Sequence, residues 1–418
     1  MIFFVIIFLM LLVDLYTYKG INSLLVNTKY PGFRKFVRIA YWTVSSVILV
    51  AVFIGYFFRG STRNLSVFTA YYYLFGAFVV FYTPKILFVV FHLFDDVIYA
   101  VKWAIRKLRN TRTHTPDVGT PITRNKFLSQ AGLVLASVPF FSFIWGIAKG
   151  RFNFKIEPVT VKFPNLPKNF DGLKIVQISD LHIGSFNGFE GQVEDAINLV
   201  NAQEPDILFF TGDLVNNFAD ELNDFMPTLT RMKAKYGKYS TLGNHDYGNY
   251  YKEWKSAADK EQNFERIKHA HDLMGFRLLN NEAEVLEFSG EKIAIIGVEN
   301  WGLRPFPQRG DYELASRDVK DIPFKILLSH DPTHWDLKIV NKHDVDLTLS
   351  GHTHGYQFGV HIAGFKWSPA QYRYKHWAGL YSENNQYLYV NVGLGSLGYP
   401  GRVGMPPEIT QLILKCGN

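Results

Sequence analysis

Five short apolar runs in this 418-residue chain each end in side chains that bind cations or move protons. Leu173-Lys-Ile-Val-Gln-Ile-Ser179 leads into Asp180-Leu-His182, and the run 207–210 into Thr211-Gly-Asp213. Residues 239–242 lead into Gly243-Asn-His-Asp246, residues 326–329 into His330, and residues 347–350 into Gly351-His-Thr-His354. Together they offer the imidazoles of His182, His330, His352 and His354, the carboxylates of Asp180 and Asp213, and the amide oxygen of Asn244. No thiolate is among them. This nitrogen-and-oxygen set suits Mn, Fe, Zn or Co rather than an all-oxygen Mg or Ca site. Seven ligands exceed what one ion takes, so two divalent ions sharing a carboxylate is the natural solution. Such a pair clamps a phosphoryl oxygen for in-line displacement.

The elements that must position these residues are legible from the same runs. Ile175, Val176 and Ile178 make the first one short and β-branched, the pattern of a buried strand in a covered sheet. Ligands beyond the carboxyl ends of such strands occupy the usual binding edge of an α/β sheet. Gly212, Gly243 and Gly351 precede ligands and are expected to allow the tight turns that aim them. Residues 149–169 alternate through Phe152, Phe154, Ile156, Val159, Val161 and Phe163, which predicts a strand. Helices are expected over 188–203 and 257–274, and strands over 285–288, 292–298, 325–329, 346–349, 387–392 and 410–414. The sum is two mixed sheets packed face to face with helices outside.

The ordered set DxH, GD, GNHD, H and GHTH resembles the calcineurin-like metallophosphoesterases, over roughly residues 155–415. The close of the chain, Gly393-Leu-Gly-Ser through Pro400-Gly-Arg402 to Thr410, is similar to a membrane-tethered bacterial branch of that family. Relatives in that branch commonly follow GHTH with Gly-Gly-Gln, where this chain has Gly355-Tyr356-Gln357. The resemblance implies a four-layer α/β/β/α sandwich. It also implies that Asp180, His182 and His354 hold one ion, that Asn244, His330 and His352 hold the other, and that Asp213 bridges. The matching histidine of relatives donates to the phosphate or the leaving oxygen, which gives His245 that role here. Asp246 is then expected to orient His245 or to hold its loop.

Composition sets the surroundings. The hydrophobic content is 48%, and most of the long apolar runs lie in the first 150 residues. Cys416 is the single cysteine, which excludes an internal disulfide and argues against a thiolate zinc site or a cysteine nucleophile. Spans are expected at about 1–16, 39–58, 68–94 and 128–148, followed by a catalytic domain over 149–418. Residues 1–13 lack a basic leader and a small-x-small cleavage site, so an uncleaved first span is expected, extended past Asp14 by Leu15 and Tyr16. Pro84 and Lys85 interrupt the third run, read as one kinked helix carrying a lysine with no carboxylate partner before Asp95.

Lys19, Lys29, Arg34, Lys35 and Arg38 follow the first span without an acid, and seven further bases separate the third span from the fourth. Only Arg59 and Arg63 lie between the second and third. The first and third connections are therefore expected in the cytoplasm, and residues 149–418 outside it at the inner membrane. With bases clustered beside spans, the net charge of +7 points to anionic headgroups rather than nucleic acid. The polar, proline-bearing stretch 111–116 reads as a flexible connection.

The reading that follows is a binuclear metal-dependent phosphoesterase with a lipid-linked or membrane-proximal phosphate as substrate. The alternatives are a membrane-anchored scaffold with an inactive phosphoesterase-like domain, and a transporter or channel. Retention of all seven ligands and His245 weighs against the first, and the lack of a repeat pattern against the second. Asn216, Asn217, His334 and Arg402 are weaker candidates, each with an ordinary structural role available. The run Tyr247, Tyr250, Tyr251 and Trp254 is expected to pack in the core or to anchor an interface.

Overall fold

A computed structural model of the chain describes residues 2–26, 28–58, 63–108, 124–362 and 365–417. The stretch 111–116 lies outside the described residues. The chain divides into two compact units, one of Met1–Thr62 with Ala70–Trp145, the other of Arg63–Thr69 with Gly146–Asn418.

The first unit is helical: α1 (Ile2–Leu25), α2 (Pro31–Phe58), α3 (Leu65–Leu108) and α4 (Arg124–Ala148). Each is long and apolar enough to cross a membrane. The third run is one helix through Pro84. Asp14 sits inside the first helix, fully buried. Its carboxylate accepts from Lys85 Nζ at 2.6 Å, Ser45 Oγ at 3.0 Å, and the hydroxyls of Tyr82 and Tyr41 at 2.8 and 3.2 Å. Lys85 therefore has the partner that its own neighbourhood in sequence does not offer. Hydrocarbon cannot answer a charge, so a charge inside a bundle is placed against other groups of the bundle.

The second unit begins with β1 (Lys155–Phe163), β2 (Lys174–Ile178), α5 (Glu190–Ala202), β3 (Ile207–Phe210), α6 (Met226–Leu229), β4 (Gly237–Ser240), α7 (Ala257–Leu273) and β5 (Arg277–Leu278). It continues with β6 (Glu282–Phe288), β7 (Glu291–Gly297), α8 (Tyr312–Ser316), β8 (Lys325–Leu328) and β9 (Leu347–Ser350). It closes with β10 (Val360–Ile362), β11 (Phe365–Trp367), β12 (Gly379–Glu383), β13 (Gln386–Val390) and β14 (Glu408–Cys416). The first sheet runs β1-β14-β2-β3-β4-β5 and the second β12-β13-β9-β8-β7-β6. The strand expected across 149–169 begins only at Lys155, because Gly150–Phe152 forms a 3-10 turn.

The sheets meet through Ile175, Ile207, Phe209 and Leu412 on one side and Ile295, Ile326, Leu328 and Leu349 on the other. The outer face of the first sheet carries Val176, Ile178, Leu208 and Phe210 against α5 and α7. The outer face of the second packs on Tyr312, Ala315 and Trp335. Strands buried on both faces explain the unbroken apolar runs of the sequence. The layers are helix, sheet, sheet, helix, as expected.

Candidate metal centre

The parallel set β2, β3, β4 and the parallel set β7, β8, β9 present their carboxyl ends at one edge of the sandwich. Asp180 and His182 leave β2, Asp213 leaves β3, and Asn244, His245 and Asp246 leave β4. His330 leaves β8, and His352 and His354 leave β9. Gln177, buried between the sheets, donates to Thr211 Oγ1 at 3.0 Å and to Ser350 O at 2.9 Å, fastening the two edges together.

Two groups of ligand atoms result, Asp180 with His182 and His354, and Asp213 with His330 and His352, each with its atoms within 4.8 Å of one another. Asp213 Oδ2 stands between them, 3.5 Å from His182 Nε2 and 3.1 Å from His330 Nε2. Its other oxygen accepts the His245 N–H at 2.8 Å. His182 Nε2 and His354 Nε2 are 3.0 Å apart, too close for two rings with nothing to share unless one carries a proton or a cation joins them. His330 donates from Nδ1 to Thr211 O at 2.7 Å, which fixes the ring and turns Nε2 into the site. Asn244 gives its amide N–H to the Tyr250 hydroxyl at 2.8 Å, while its Oδ1 is buried without a hydrogen-bond partner. That orphaned oxygen and the converging imidazoles fit divalent cations with nitrogen and oxygen preferences.

The backbone is bent to achieve this. Asp180, His182, Asp213, His352 and His354 all have positive φ, between 39° and 70°. Such conformations cost of order 1–3 kcal/mol each and persist where surrounding structure imposes them. The glycines act differently from expectation. Gly212 does take positive φ, at 95°, but Gly243 and Gly351 do not. Their lack of Cβ matters instead: a Cβ at Gly243 would strike Asp213, and one at Gly351 would strike Ser179 and Asp180.

Electrostatics show a site strained by its own charges. Burial alone would depress His330, yet Asp213 and Asp180 hold its pKa up to about 10. Burial would raise Asp213, but His330 and His245 hold it well below the usual carboxylate range. Burial raises Asp180 to about 6 and lowers His182 to about 3 and His352 to about 4. The burial that disfavours charge on His182 and His352 favours the neutral imidazole, the form that binds a cation.

Around this centre the structure separates the other candidates. His245 is oriented by the Asn216 carbonyl, 2.8 Å from Nδ1, and not by Asp246. Asp246 holds the loops: its carboxylate accepts from the N–H groups of Asp213, Leu214 and Gly243 at 3.0, 2.9 and 2.8 Å. Arg402 is buried, donates to the carbonyls of Val392 and Gly395, and brings Nη2 to 3.2 Å from His354 Nδ1, a supporting position behind a ligand. His334 is buried with Nδ1 2.9 Å from Ser329 Oγ, away from the ligand groups. Of the aromatic run, Tyr250 stacks on His245 with centroids 4.3 Å apart, while Tyr251 and Trp254 pack on Phe218 and Tyr247 on Phe264.

Three residues at the site escaped the sequence reading. Asp331, next to His330, lies with Oδ2 3.4 Å from His352 Nε2 and no hydrogen bond to that oxygen. Tyr374 puts its hydroxyl 3.0 Å from the same nitrogen. Glu221, fully buried, accepts N–H groups from Asn216, Asn217 and Phe218 at 2.8–2.9 Å, shaping the loop whose carbonyl orients His245. Adjacency to a ligand was the available signal for Asp331. Tyr374 and Glu221 carry none in one dimension.

Comparison with known proteins agrees with this geometry. Residues 173–356 match the family described as calcineurin-like phosphoesterase, and residues 1–151 match the probable calcineurin-like phosphoesterase transmembrane domain. The chain is 33% identical over 266 residues to the uncharacterized metallophosphoesterase YkuE of Bacillus subtilis, covering 62% of this chain and 85% of that one. It is 30% identical over 268 residues to an uncharacterized metallophosphoesterase of Aquifex aeolicus, covering 62% of this chain and 92% of that protein. A transmembrane protein with metallophosphoesterase domain from Danio rerio is 30% identical over 280 residues, 65% of this chain and 60% of that longer relative. With four membrane-crossing helices and the ligand-bearing sandwich together in one chain, this protein belongs to the calcineurin-like metallophosphoesterases, a family of hydrolases, as a multi-pass membrane member.

Proposed function

We propose that the protein is a binuclear metal-dependent phosphoesterase acting outside the cytoplasm on a phosphate ester or pyrophosphate that is lipid-linked or held at the membrane. The observation that carries the binuclear reading is Asp213 Oδ2, within 3.5 Å of imidazoles from both ligand groups. Asp180, His182 and His354 would hold one divalent ion and Asn244, His330 and His352 the other, with Asp213 shared. When bound, such ions supply Lewis-acid charge to a phosphoryl oxygen and lower the pKa of water.

The chain's own residues do the rest. Donation from His245 Nδ1 to the Asn216 carbonyl leaves Nε2 as the nitrogen that can hold a proton for the leaving oxygen. Asp246 keeps Asp213 and His245 in mutual register by tying together the loops after β3 and β4. Tyr250 covers one face of the His245 ring and limits access of water to it.

The sidedness is supported by residues 63–69, at the start of α3 and just before it, which belong to the same unit as the metal centre. Arg63 pairs with Asp259 at 2.6 Å, and Asn187 donates to Thr69 Oγ1 at 2.8 Å. An even number of spans before the domain puts that segment and residues 149–418 on one side, opposite the basic connections. The test is turnover by the purified full chain of a lipid-linked phosphate in mixed micelles and of its water-soluble headgroup analogue. The proposal expects far faster cleavage of the lipid-linked form. Equal or faster cleavage of the soluble analogue would contradict it.

A further inference from the structure

We propose that the β10–β11 hairpin is a lipid-contacting element, whose outward apolar face enters the interfacial layer of a bilayer beside the metal centre. This goes beyond the phosphoesterase reading and does not depend on it. Among the described residues the two strands pair only with each other, in antiparallel register Val360↔Trp367, His361↔Lys366 and Ile362↔Phe365. Cross-strand partners share a face and successive residues alternate faces. One face is therefore Val360, Ile362, Phe365 and Trp367, and the other is His361 and Lys366.

The orientation of these faces is the reverse of a water-facing ribbon. The polar face borders the body of the unit: half-buried Lys366 brings Nζ to 4.0 Å from Glu157 Oε1 of β1 and lines a small cleft with Lys155, Glu157, Glu408 and the exposed His361. The apolar face turns outward, with Val360, Ile362 and Phe365 exposed by 38%, 69% and 63%. A lone two-stranded ribbon is marginal in water, and an unpartnered apolar face on one is a liability unless something nonaqueous covers it. The root of the hairpin is nevertheless fixed. Gly359 donates to Val403 O at 2.9 Å, and Ser368 Oγ donates to Gly355 O at 2.7 Å.

Lipid is the occupant that the chain itself argues for. Glu157, against which the hairpin's polar face rests, follows the end of α4 at Ala148 by residues 149–156 alone. That length reaches at most about 30 Å when fully extended, so the hairpin stays within range of the bilayer. The residues flanking the apolar face are those of a membrane interface: basic Lys366, exposed Arg373, and Tyr372, which is 78% exposed on the turn after β11. β10 also follows His354 directly through residues 355–359, so lipid contact there would set the interface next to the metal centre.

The test uses the full chain with Cys416→Ser and one cysteine introduced at a time, Ile362→Cys, Phe365→Cys or His361→Cys. Each variant is spin-labelled and reconstituted in phosphatidylethanolamine–phosphatidylglycerol vesicles. Collision rates with oxygen and with a water-soluble nickel chelate report depth, and a thermal midpoint equal to the parent's confirms that each variant is folded. Labels at 362 and 365 are expected to favour oxygen several-fold, and the label at 361 to favour nickel. Equal nickel accessibility at all three positions would overturn the proposal. Dipolar broadening between labels at 362 would also overturn it, because a second copy would then be covering the face. Neither readout requires turnover, so failure of the phosphoesterase reading would leave this result standing.

Discussion

In the helical unit, the buried Asp14 carboxylate is answered by Lys85, Ser45, Tyr41 and Tyr82, and the Lys85 ammonium also lies 4.8 and 4.7 Å from the Tyr41 and Tyr82 ring centroids. In the α/β unit, Asp180, Asp213 and four imidazoles are packed as deeply, yet Asn244 Oδ1 and Asp331 Oδ2 have no hydrogen-bond partner and five ligand residues hold left-handed backbone. Both clusters place charge where water does not screen it. The first closes on itself, each charge answered by groups of the same unit. The second is held open against its own repulsions by the fold around it, which is what a site for an external cation requires. Burial of charge alone does not mark function; candidate ligand atoms converging from several strands beside unsatisfied oxygens do.

Variants on either side should respond in opposite ways. Asp213→Asn removes the shared charge and should abolish hydrolysis, well beyond the roughly 10–100-fold loss typical of residues that only support a ligand, with an unchanged circular dichroism spectrum. Near-normal turnover would erase the distinction between the clusters. His245→Ala should keep the metals and lose about 10²–10⁴-fold in kcat, less for esters with good leaving groups. A loss independent of leaving-group pKa would assign His245 to the phosphoryl oxygens instead.

On the membrane side, Asp14→Ala should destabilise the chain by about 3–5 kcal/mol, since it strands the Lys85 charge. Replacing the pair together, Asp14→Leu with Lys85→Met, should recover most of that loss in chemical denaturation from micelles. Turnover per folded molecule should stay level in both. A selective loss of activity would give the pair a function that its closed network does not suggest.

A third buried group sharpens the contrast at lower amplitude. His271 packs against Phe210, neither ring nitrogen has a hydrogen-bond partner among the described residues, and burial lowers its pKa from 6.5 to about 3. The unfolded chain takes up that proton below 6.5 and the folded chain only below about 3. Its neutral form thus contributes stability that is whole above pH 6.5 and is lost as pH falls toward 3. His271→Leu should flatten the dependence of the thermal midpoint on pH across that window; an unchanged slope would mean that the ring is already solvated.

What could be read from the sequence follows the same division. The candidate ligands could be picked out because each sits next to the strand that carries it, so a one-dimensional pattern records a three-dimensional edge. Asp14 and Lys85 stand 71 residues apart on different helices, so neither charge pointed to the other along the sequence. Glu221 acts through backbone N–H groups, which leave no trace in side-chain spacing. The hairpin over 360–367 was not among the expected strands, and its alternation would not have told which face is outward. In the aromatic run 247–254, Tyr247, Tyr251 and Trp254 pack as expected, and Tyr250 alone of the four stacks on His245.

The central claim is that the open cluster is a two-metal phosphoesterase site. It is tested most directly by counting divalent ions in the purified full chain while following turnover of a p-nitrophenyl phosphate ester. The account predicts two ions per active chain, turnover that falls as a chelator strips them, and recovery when they are restored. Full turnover in a chain that holds fewer than one ion would contradict it.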